Sequence, residues 1–561
     1  MPESSLAIAI TGAGGAGVIS CGELLLRAWA SAGGRGLMRK AFGPQIRGGE
    51  AAALLKLCEG ESYTAAAEYQ LLVALDWLNF SRFEDEIRLA DNALICCETL
   101  KGMPEELAEF EVIELPFASI AGEAHPDGRA NMVALGAVGR ALELGQDVLS
   151  DFADKHLAKK PADYRDAARA CIAAGHAHAL SLPVAPPAKQ SGERWCLTGN
   201  QAAAFGALDA GIRFVAAYPI TPASDLLEWI ASPLEQLGGE LVQAEDELAA
   251  INMALGAAFG GIPSLTATSG PGLALMSESL GLGVAAEVPV CVINVQRGGP
   301  STGIPTKSEQ SDLDIALHGL HGDAPHLVLA PLGIADCVFT TGWAVQLCQQ
   351  LQTPGIVLSD QFTGQSTAIV SPPRQSGSID APAPPNGEYL RYRLTESGVS
   401  AVAAPGDPDR RFTADGLEHN EKGTPSASSR DHHQQLDKRR RKLESFEFGE
   451  DWAERAGEGD IALLGFGSSA ATLSAAAEIA GVPVRTIALR LLAPLHTEAL
   501  VQALSGCRRI LVVEQNHGAQ LFHYLRGKLP SDVPLTSYAS PGPVPLDPAH
   551  IVTQLMDGGQ P

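Results

Sequence analysis

Short apolar runs alternate with helix-length stretches along most of the chain, the pattern of strands feeding helices. Residues 5–10 (SLAIAI) form such a run, followed by a glycine loop and a helix-like stretch over 18–32, so the chain is predicted to open on a βα unit. Runs at 71–75 (LLVAL), 93–97 (ALICC) and 111–115 (EVIEL) predict further strands. Helices are expected over MVALGAVGRALELG and near 162–179. PVAPPAKQSGE (183–193), rich in proline and polar residues, reads as a linker.

A second alternating block opens at Trp195. RFVAAYPI, GGELVQA, SLTATS, VPVCVINVQ, HLVLAP and PGIVLSD are its predicted strands, separated by helical stretches rich in alanine and glycine. Alternation of this kind implies a mostly parallel sheet covered by helices. From about Ser371 the chain turns to proline, serine and charge, and DHHQQLDKRRRKLES reads as a polar, solvated helix. From Ile461 to Met556 strands (IALLGFG, VPVRTIAL, RRILVVEQ) and helices alternate again. The expected architecture is multi-domain α/β: residues 1–183, a linker at 184–194, a parallel-sheet domain at 195–372, an irregular extension at 373–457 and a C-terminal α/β domain at 458–561.

Composition narrows this picture. The 561 residues suggest three or four domains, and 45% hydrophobic with 19% charged residues is the balance of a globular protein. Forty basic against sixty-five acidic residues leave a formal charge of -25, which repels phosphate backbones and argues against nucleic acid as the main partner. The ten cysteines include no C-x-x-C pair, so neither an iron–sulfur cluster nor a structural zinc is expected on this chain alone, and no disulfide framework. The N-terminus lacks the basic region of a secretory signal, and no apolar run reaches membrane-spanning length, so no membrane association is expected and the compartment predicted is the cytoplasm.

Four clusters could carry chemistry. Gly12-x-Gly14-Gly15-x-Gly17 follows a strand and opens a helix, a geometry that lets an anion approach backbone N–H groups. A dinucleotide site needs an acid at the end of the next strand. GGRGLMRKAFG offers only Arg35, Arg39 and Lys40, so a phosphate-bearing ligand fits better than NAD, and close strand–helix packing explains the glycines equally well. Arg47-Gly48-Gly49 is either an anion contact or a hairpin with a solvated arginine. In Tyr218-Pro219-Ile220-Thr221-Pro222 two prolines stiffen a loop at the carboxyl end of a strand, where parallel sheets place ligands, and Ser224 or Asp225 is expected to cap the next helix. Glu245, Asp246 and Glu247 start a helix, and capping or a buried functional carboxylate accounts for them equally. Arg297 ends a very apolar strand, and its guanidinium could take a carboxylate bidentately, with Ser301, Thr302, Thr306 and Lys307 as donors in the same loop; a structural ion pair is the alternative. His432-His433 beside KRRRK and the Gly465–Ser469 glycine turn are read as a solvated helix face and a packing turn. No G-x-S-x-G, H-E-x-x-H or G-x-x-x-x-G-K-[ST] motif occurs.

Taken together, Tyr218-Pro219-Ile220-Thr221-Pro222, the Glu247 helix through Gly256-Ala257, and Arg297-Gly298-Gly299-Pro300-Ser301-Thr302-Gly303 with Pro305-Thr306-Lys307 resemble the α subunit of 2-oxoacid:ferredoxin oxidoreductases. Glu418-His419-Asn420, the KRRRK run and Glu514-Gln515-Asn516 through Gln520 extend the resemblance to the C-terminus, and TGAGGAG with the RGG segment resembles the family's γ domain. Ala16, Ala223 and Ser308 depart from residues common in the family.

The resemblance implies a γ-type domain at 1–183, a pyrimidine-type thiamine-diphosphate-binding domain at 195–372 and a transketolase-C-like domain at 458–561. It implies thiamine diphosphate shared with a β subunit, with Tyr218, Pro219, Ile220 and Glu247 on the cofactor. Glu247 matches the glutamate that protonates the aminopyrimidine. Thr221 and Arg297 match positions that hold the 2-oxoacid carboxylate, Thr306 and Lys307 lie where further substrate contacts are expected, and Gly12, Gly14, Gly15, Gly17 and Arg47 are the corresponding CoA contacts. No metal ligand is expected here; Mg2+ and a [4Fe-4S] cluster are implied on the β subunit, where acidic ferredoxin would dock, in an (αβ)2 assembly. The implied reaction takes 2-oxoglutarate and CoA to succinyl-CoA and CO2 with reduction of ferredoxin. Action on pyruvate or a range of 2-oxoacids, or a non-catalytic role beside the β subunit, are the alternatives.

Overall fold

The protein is described by a computed structural model covering residues 5–43, 49–61, 63–78, 80–377 and 388–557. The chain forms two compact units, one of Met1–Thr198 with Gln365–Pro372, the other of Gly199–Gly364 with Pro373–Pro561. In chain order the strands are β1 Ser5–Ala13, β2 Arg35–Phe42, β3 Glu50–Cys58, β4 Tyr69–Ala74, β5 Leu89–Cys97, β6 Glu111–Glu114 and β7 Trp195–Thr198. β8 Phe214–Ala217, β9 Glu240–Gln243, β10 Ser264–Thr268, β11 Cys291–Gln296, β12 Leu327–Leu329, β13 Gly355–Asp360 and β14 Thr367–Val370 follow. β15 Ala453–Ala456, β16 Ile461–Phe466, β17 Arg485–Leu489, β18 Leu491–Ala493, β19 Arg509–Glu514 and β20 Leu535–Ala539 complete the set.

The first unit is an eight-stranded sheet in the order β6-β5-β4-β1-β3-β2-β14-β7. β1 is buried on both faces. Leu6, Ile8 and Ile10 pack under the helices Val18–Ser31 and Ala130–Ala141, while Ala7 and Ala9 pack against Leu54, Leu72 and Phe83 on the other side. That alternation is the period of two of a central strand. β1 runs parallel to β4 but antiparallel to β3, and β2 returns antiparallel on β3 from Arg35 opposite Cys58. The chain after the first helix therefore enters a hairpin instead of a dinucleotide-binding crossover. Its basic residues are ion-paired within the unit: Arg35 with Glu61, Arg39 with Glu86 at 3.1 Å, and Lys40 with Glu23 at 2.8 Å. Each of the three thus has a counter-charge inside the unit.

The second unit holds a seven-stranded sheet, β18-β12-β13-β11-β10-β8-β9, parallel except for the antiparallel edge strand β18, and a five-stranded sheet, β15-β17-β16-β19-β20. All six strands anticipated between Trp195 and Asp360 lie in the seven-stranded sheet, as β8 to β13. β14 pairs with β2 on one side and with the edge strand β7 on the other, so both belong to the first unit's sheet, and β18 leaves the C-terminal block to pair with β12. The units change over after Thr198, after Gly364 and after Pro372, the last of these being the expected limit at 372, and the expected limit at 458 falls inside the second unit. Apolar runs mark strands, but which edge a strand joins is decided by the free hydrogen-bonding edges in space.

The extension is held by a buried ionic cluster. The Glu287 carboxylate pairs with Lys438 and, at 3.3 Å, with Lys442, and all three side chains are fully buried. Arg391 donates to the Glu287 carbonyl and to Gln352 Oε1, both at 2.7 Å, and lies over the Tyr392 ring. Burial alone would raise the Glu287 carboxyl, but Lys438, Lys442 and Arg391 hold it well below the usual range. Burial pulls Lys442 down to about 7, with Glu287 opposing the shift. The KRRRK run is therefore not the solvated helix face expected: on Ser429–Glu444, Lys438, Arg439 and Lys442 face inward, and Arg440 and Arg441 face solvent. His419 stacks on Tyr392 and contacts the carbonyls of Asn420 and Ala285, so the Glu-His-Asn segment is likewise structural. Because Glu287→Gln strands several buried cations without a counter-charge, it should lower the stability of the second unit by about 3 kcal/mol, measured as a lower midpoint of urea unfolding.

Candidate active site

Parallel register places the carboxyl ends of β8, β9, β10, β11 and β13 on one edge of the seven-stranded sheet. At the end of β8, Tyr218 is 40% exposed, Thr221 is half-buried, and Ile220 O accepts the N–H groups of Ala223 (2.8 Å) and Ser224 (3.1 Å), closing a tight turn. Asn200 Nδ2 donates to Pro222 O at 2.9 Å and fixes the turn to a neighbouring helix. The N-cap position of Ser224–Gln236 is Ala223, so the expected capping by Ser224 or Asp225 is corrected: both lie inside the first turn.

At the end of β9 the three acids separate. Asp246 is the N-cap, accepting from Ala249 N at 2.7 Å, Glu245 is exposed, and Glu247 is only 7% exposed. Its carboxylate has no hydrogen-bond partner among the described residues. It lies instead against the first turn of Gly270–Ala285, where Gly272 makes the space: a Cβ there would stand 2.8 Å from Glu247 Oε1 and 2.1 Å from Thr268 Oγ1. Gly270 plays the same part for Asp312, whose Oδ1 would be 2.6 Å from its Cβ. These two glycines, in TSGPG, were not singled out from sequence; the strand–glycine–helix pattern that marks the other turns was the available signal.

At the end of β11, Arg297 is 8% exposed and its Nη1 donates to Thr221 O at 2.5 Å. Its Nε has no partner. Asp312 is the nearby counter-charge, held by Asn294 Nδ2 at 2.8 Å and with its own N–H on Gln296 Oε1 at 3.0 Å. Burial lowers the Arg297 guanidinium from its ordinary value, with Asp312 opposing, and burial raises the Asp312 carboxyl against the Asn294 amide and Arg297. Residues 298–307 close on themselves through Gly298 N to Lys307 O (3.0 Å), Ile304 N to Gly298 O (2.8 Å) and Lys307 N to Ile304 O (3.1 Å). Gly303 is left-handed, and a Cβ there would meet Gly298 O at 1.8 Å. Thr306 is buried, Lys307 half-buried, and Ser301 and Thr302 exposed. The structure thus brings Thr221 and Arg297 into contact across β10, and puts Glu247, Thr306 and Lys307 on the same sheet edge.

In the first unit, the glycine turn serves packing and also borders a space. Gly17 is left-handed and sits so close to Asn131 that a Cβ would lie 2.2 Å from its Nδ2. Gly14, Gly15 and Gly17 line a cavity of about 530 Å³ with Asn131, Arg129 and Lys160. Asn131 is 4% exposed, and its Oδ1 has no partner. Arg47 lies outside the described residues. Among the described residues no three His, Cys, Asp or Glu side chains gather as a metal site, and no helix is long and apolar enough to cross a membrane.

Residues 205–438 match the family model of the pyruvate flavodoxin/ferredoxin oxidoreductase thiamine-diphosphate-binding domain, and residues 7–178 match the pyruvate ferredoxin/flavodoxin oxidoreductase model. The chain is 35% identical over 347 residues to the 2-oxoglutarate synthase subunit KorA of Methanothermobacter marburgensis, covering 60% of this chain and 91% of that one. It is 35% identical over 441 residues to the 2-oxoglutarate oxidoreductase subunit KorA of Mycobacterium tuberculosis, covering 73% and 66%. Among solved structures it superposes on the 2-oxoglutarate:ferredoxin oxidoreductase of Magnetococcus marinus, determined with 2-oxoglutarate, coenzyme A and succinyl-CoA bound, with a TM-score of 0.89 and 33% identity over 99% of both chains. With a thiamine-diphosphate-binding segment and a second oxidoreductase segment fused ahead of it, the chain belongs to the 2-oxoacid:ferredoxin oxidoreductase family.

Proposed function

We propose that this chain is the α-type subunit of an enzyme that reversibly converts 2-oxoglutarate and CoA to succinyl-CoA and CO2 with reduction of ferredoxin. The observation that carries the reading is the full-length likeness, over 99% of both chains, to the Magnetococcus marinus enzyme that holds those three ligands. The residues present fit thiamine diphosphate. A buried carboxylate without a hydrogen-bond donor, set where a glycine leaves room, suits a ring nitrogen that carries a proton. Thiamine diphosphate, when bound, supplies the electron sink on which a 2-oxoacid loses CO2.

Glu247 would hold a proton between its carboxylate and the pyrimidine ring. Tyr218, Pro219 and Ile220 would form the stiff wall beside that ring. Arg297, anchored through Nη1 on the Thr221 carbonyl, would present the rest of its guanidinium to the oxoacid carboxylate, with the Thr221 hydroxyl, Thr306 and Lys307 as further contacts. Gly14, Gly15 and Gly17 of the glycine turn, with Arg129 and Lys160 at the same cavity, would take CoA, with Gly12 packed behind them against Val18 and Leu75 and Arg47 beyond the described residues. We assign the diphosphate-binding half-site, Mg2+ and a [4Fe-4S] cluster to a β-type partner, which would also receive ferredoxin, in an (αβ)2 complex in the cytoplasm.

Co-expressed with a β-type partner and assayed anaerobically, the complex should reduce ferredoxin with 2-oxoglutarate and CoA and do so more slowly with pyruvate. Equal rates would make it a broad 2-oxoacid enzyme, and no oxoacid-dependent reduction would end the reading. Glu247→Gln should lower kcat by at least about tenfold with the protein folded, the loss expected when a proton-holding contact is removed; near-normal turnover would take Glu247 out of the chemistry. Lys160→Ala should raise the KM for CoA roughly fivefold and leave that for the oxoacid unchanged, as expected for one charge-assisted phosphate contact; an unchanged CoA KM would move CoA away from this cavity.

A further inference from the structure

We propose that Gln310 is a positioning residue for the 2-oxoacid: through it the C-terminal block grips the stem of the loop that carries Arg297, Thr306 and Lys307. The inference rests on the assignment of that loop to the oxoacid made above.

The loop's own three backbone bonds give it shape, but its orientation on the sheet edge depends on its two stems. One stem is β11 itself. The other is residues 308–312, and at its centre Gln310 is completely buried with every polar group used. Its N–H donates to Gln515 O at 2.7 Å, and its carbonyl accepts from Asn516 Nδ2 at 3.1 Å. Its side-chain Oε1 accepts from Gln515 N at 2.9 Å, and its Nε2 donates to Phe466 O at 2.8 Å. All four partners lie at the ends of β16 and β19, two strands of the other sheet. Gln520 adds a second grip, donating to Ser311 O at 2.9 Å and accepting from Asp314 N at 3.0 Å.

The surroundings are cut to this fit. Gly467 is left-handed, and a Cβ there would lie 2.8 Å from Gln310 Nε2; a Cβ on Gly542 would lie 2.4 Å from Ser308 O. On the opposite side Gln296 and Asn294 hold Asp312. The stem is thus fixed between two sheets, and its last residue is the counter-charge beside Arg297. Only glutamine offers both an acceptor and a donor at this reach. Glutamate would lose the donor to Phe466 O, which would keep only the Ser469 hydroxyl at 2.8 Å, and methionine would lose both groups, leaving the buried Gln515 N–H unpaired. A loop held in its binding geometry before the substrate arrives binds with less ordering cost, so loosening it should appear in KM.

The test uses the co-expressed complex and compares Gln310→Met, Gln520→Met and Arg297→Lys. A fourth variant, Ile551→Ala, empties part of the C-terminal core away from the grip. Gln310→Met is expected to raise the KM for 2-oxoglutarate at least about fivefold, the loss of one to two net hydrogen bonds, with the KM for CoA unchanged. Gln520→Met should shift it the same way by less, and amide exchange at residues 298–307 should quicken in both. Ile551→Ala should lower the melting temperature and leave the oxoacid KM as it was. A wild-type oxoacid KM in Gln310→Met, or an equal rise in Ile551→Ala, would overturn the inference. If Gln310→Met does not fold, an unchanged KM in Gln520→Met overturns it instead. Arg297→Lys separates the two readings: an unchanged oxoacid KM there sinks the loop assignment itself, whereas a raised KM beside a normal Gln310→Met sinks only the grip.

Discussion

Parallel strand register is the constraint on which the second unit depends. Because β8, β9, β10, β11 and β13 run the same way, the chain must leave the sheet at one edge each time, and segments far apart in sequence meet there. Thr221 leaves from β8, Glu247 from beyond β9, the glycine turn of TSGPG from β10 and Arg297 from β11. Two carboxylates of this edge, Glu247 and Asp312, rest at the start of the Gly270–Ala285 helix, and each lies where a β-carbon on a glycine of its first turn would stand. The absence of two β-carbons therefore makes the room that these carboxylates occupy.

Charge inside this protein is organised in pairs of opposite purpose. Around Glu287, one buried carboxylate gathers Lys438, Lys442 and Arg391, and the result is a joint between the extension and the parallel-sheet layer. Around Arg297, the guanidinium is anchored by a carbonyl at one nitrogen while another nitrogen lacks a partner. Asn131 Oδ1 in the first unit likewise lacks a partner, and Glu247 and Asn131 are each set beside a glycine.

Much of the site could be read in advance because its chemistry is local. Prolines on both sides of Ile220-Thr221 stiffen that turn whatever surrounds it, and Arg297 at the end of VINVQ is conspicuous in any apolar strand. The acids 245–247 could not be told apart, since a capping aspartate and a buried glutamate have the same spacing; burial and the Ala249 N–H separated them. The basic run at 438–442 misled for the complementary reason. Its composition is that of a solvated helix, and only Glu287, some 150 positions away, makes burial of two lysines tolerable.

By itself the sequence determined the strand and helix runs, the glycine turns, the family and the residue types at the sheet edge, because these follow from short-range periodicity and backbone chemistry. The tertiary structure alone decided which sheet β7, β14 and β18 join, that Arg35, Arg39 and Lys40 are consumed in ion pairs, and that Gln310 is clasped by the ends of β16 and β19. Edges, counter-charges and hydrogen-bond partners are supplied by distant segments, and no local pattern specifies which distant segment arrives.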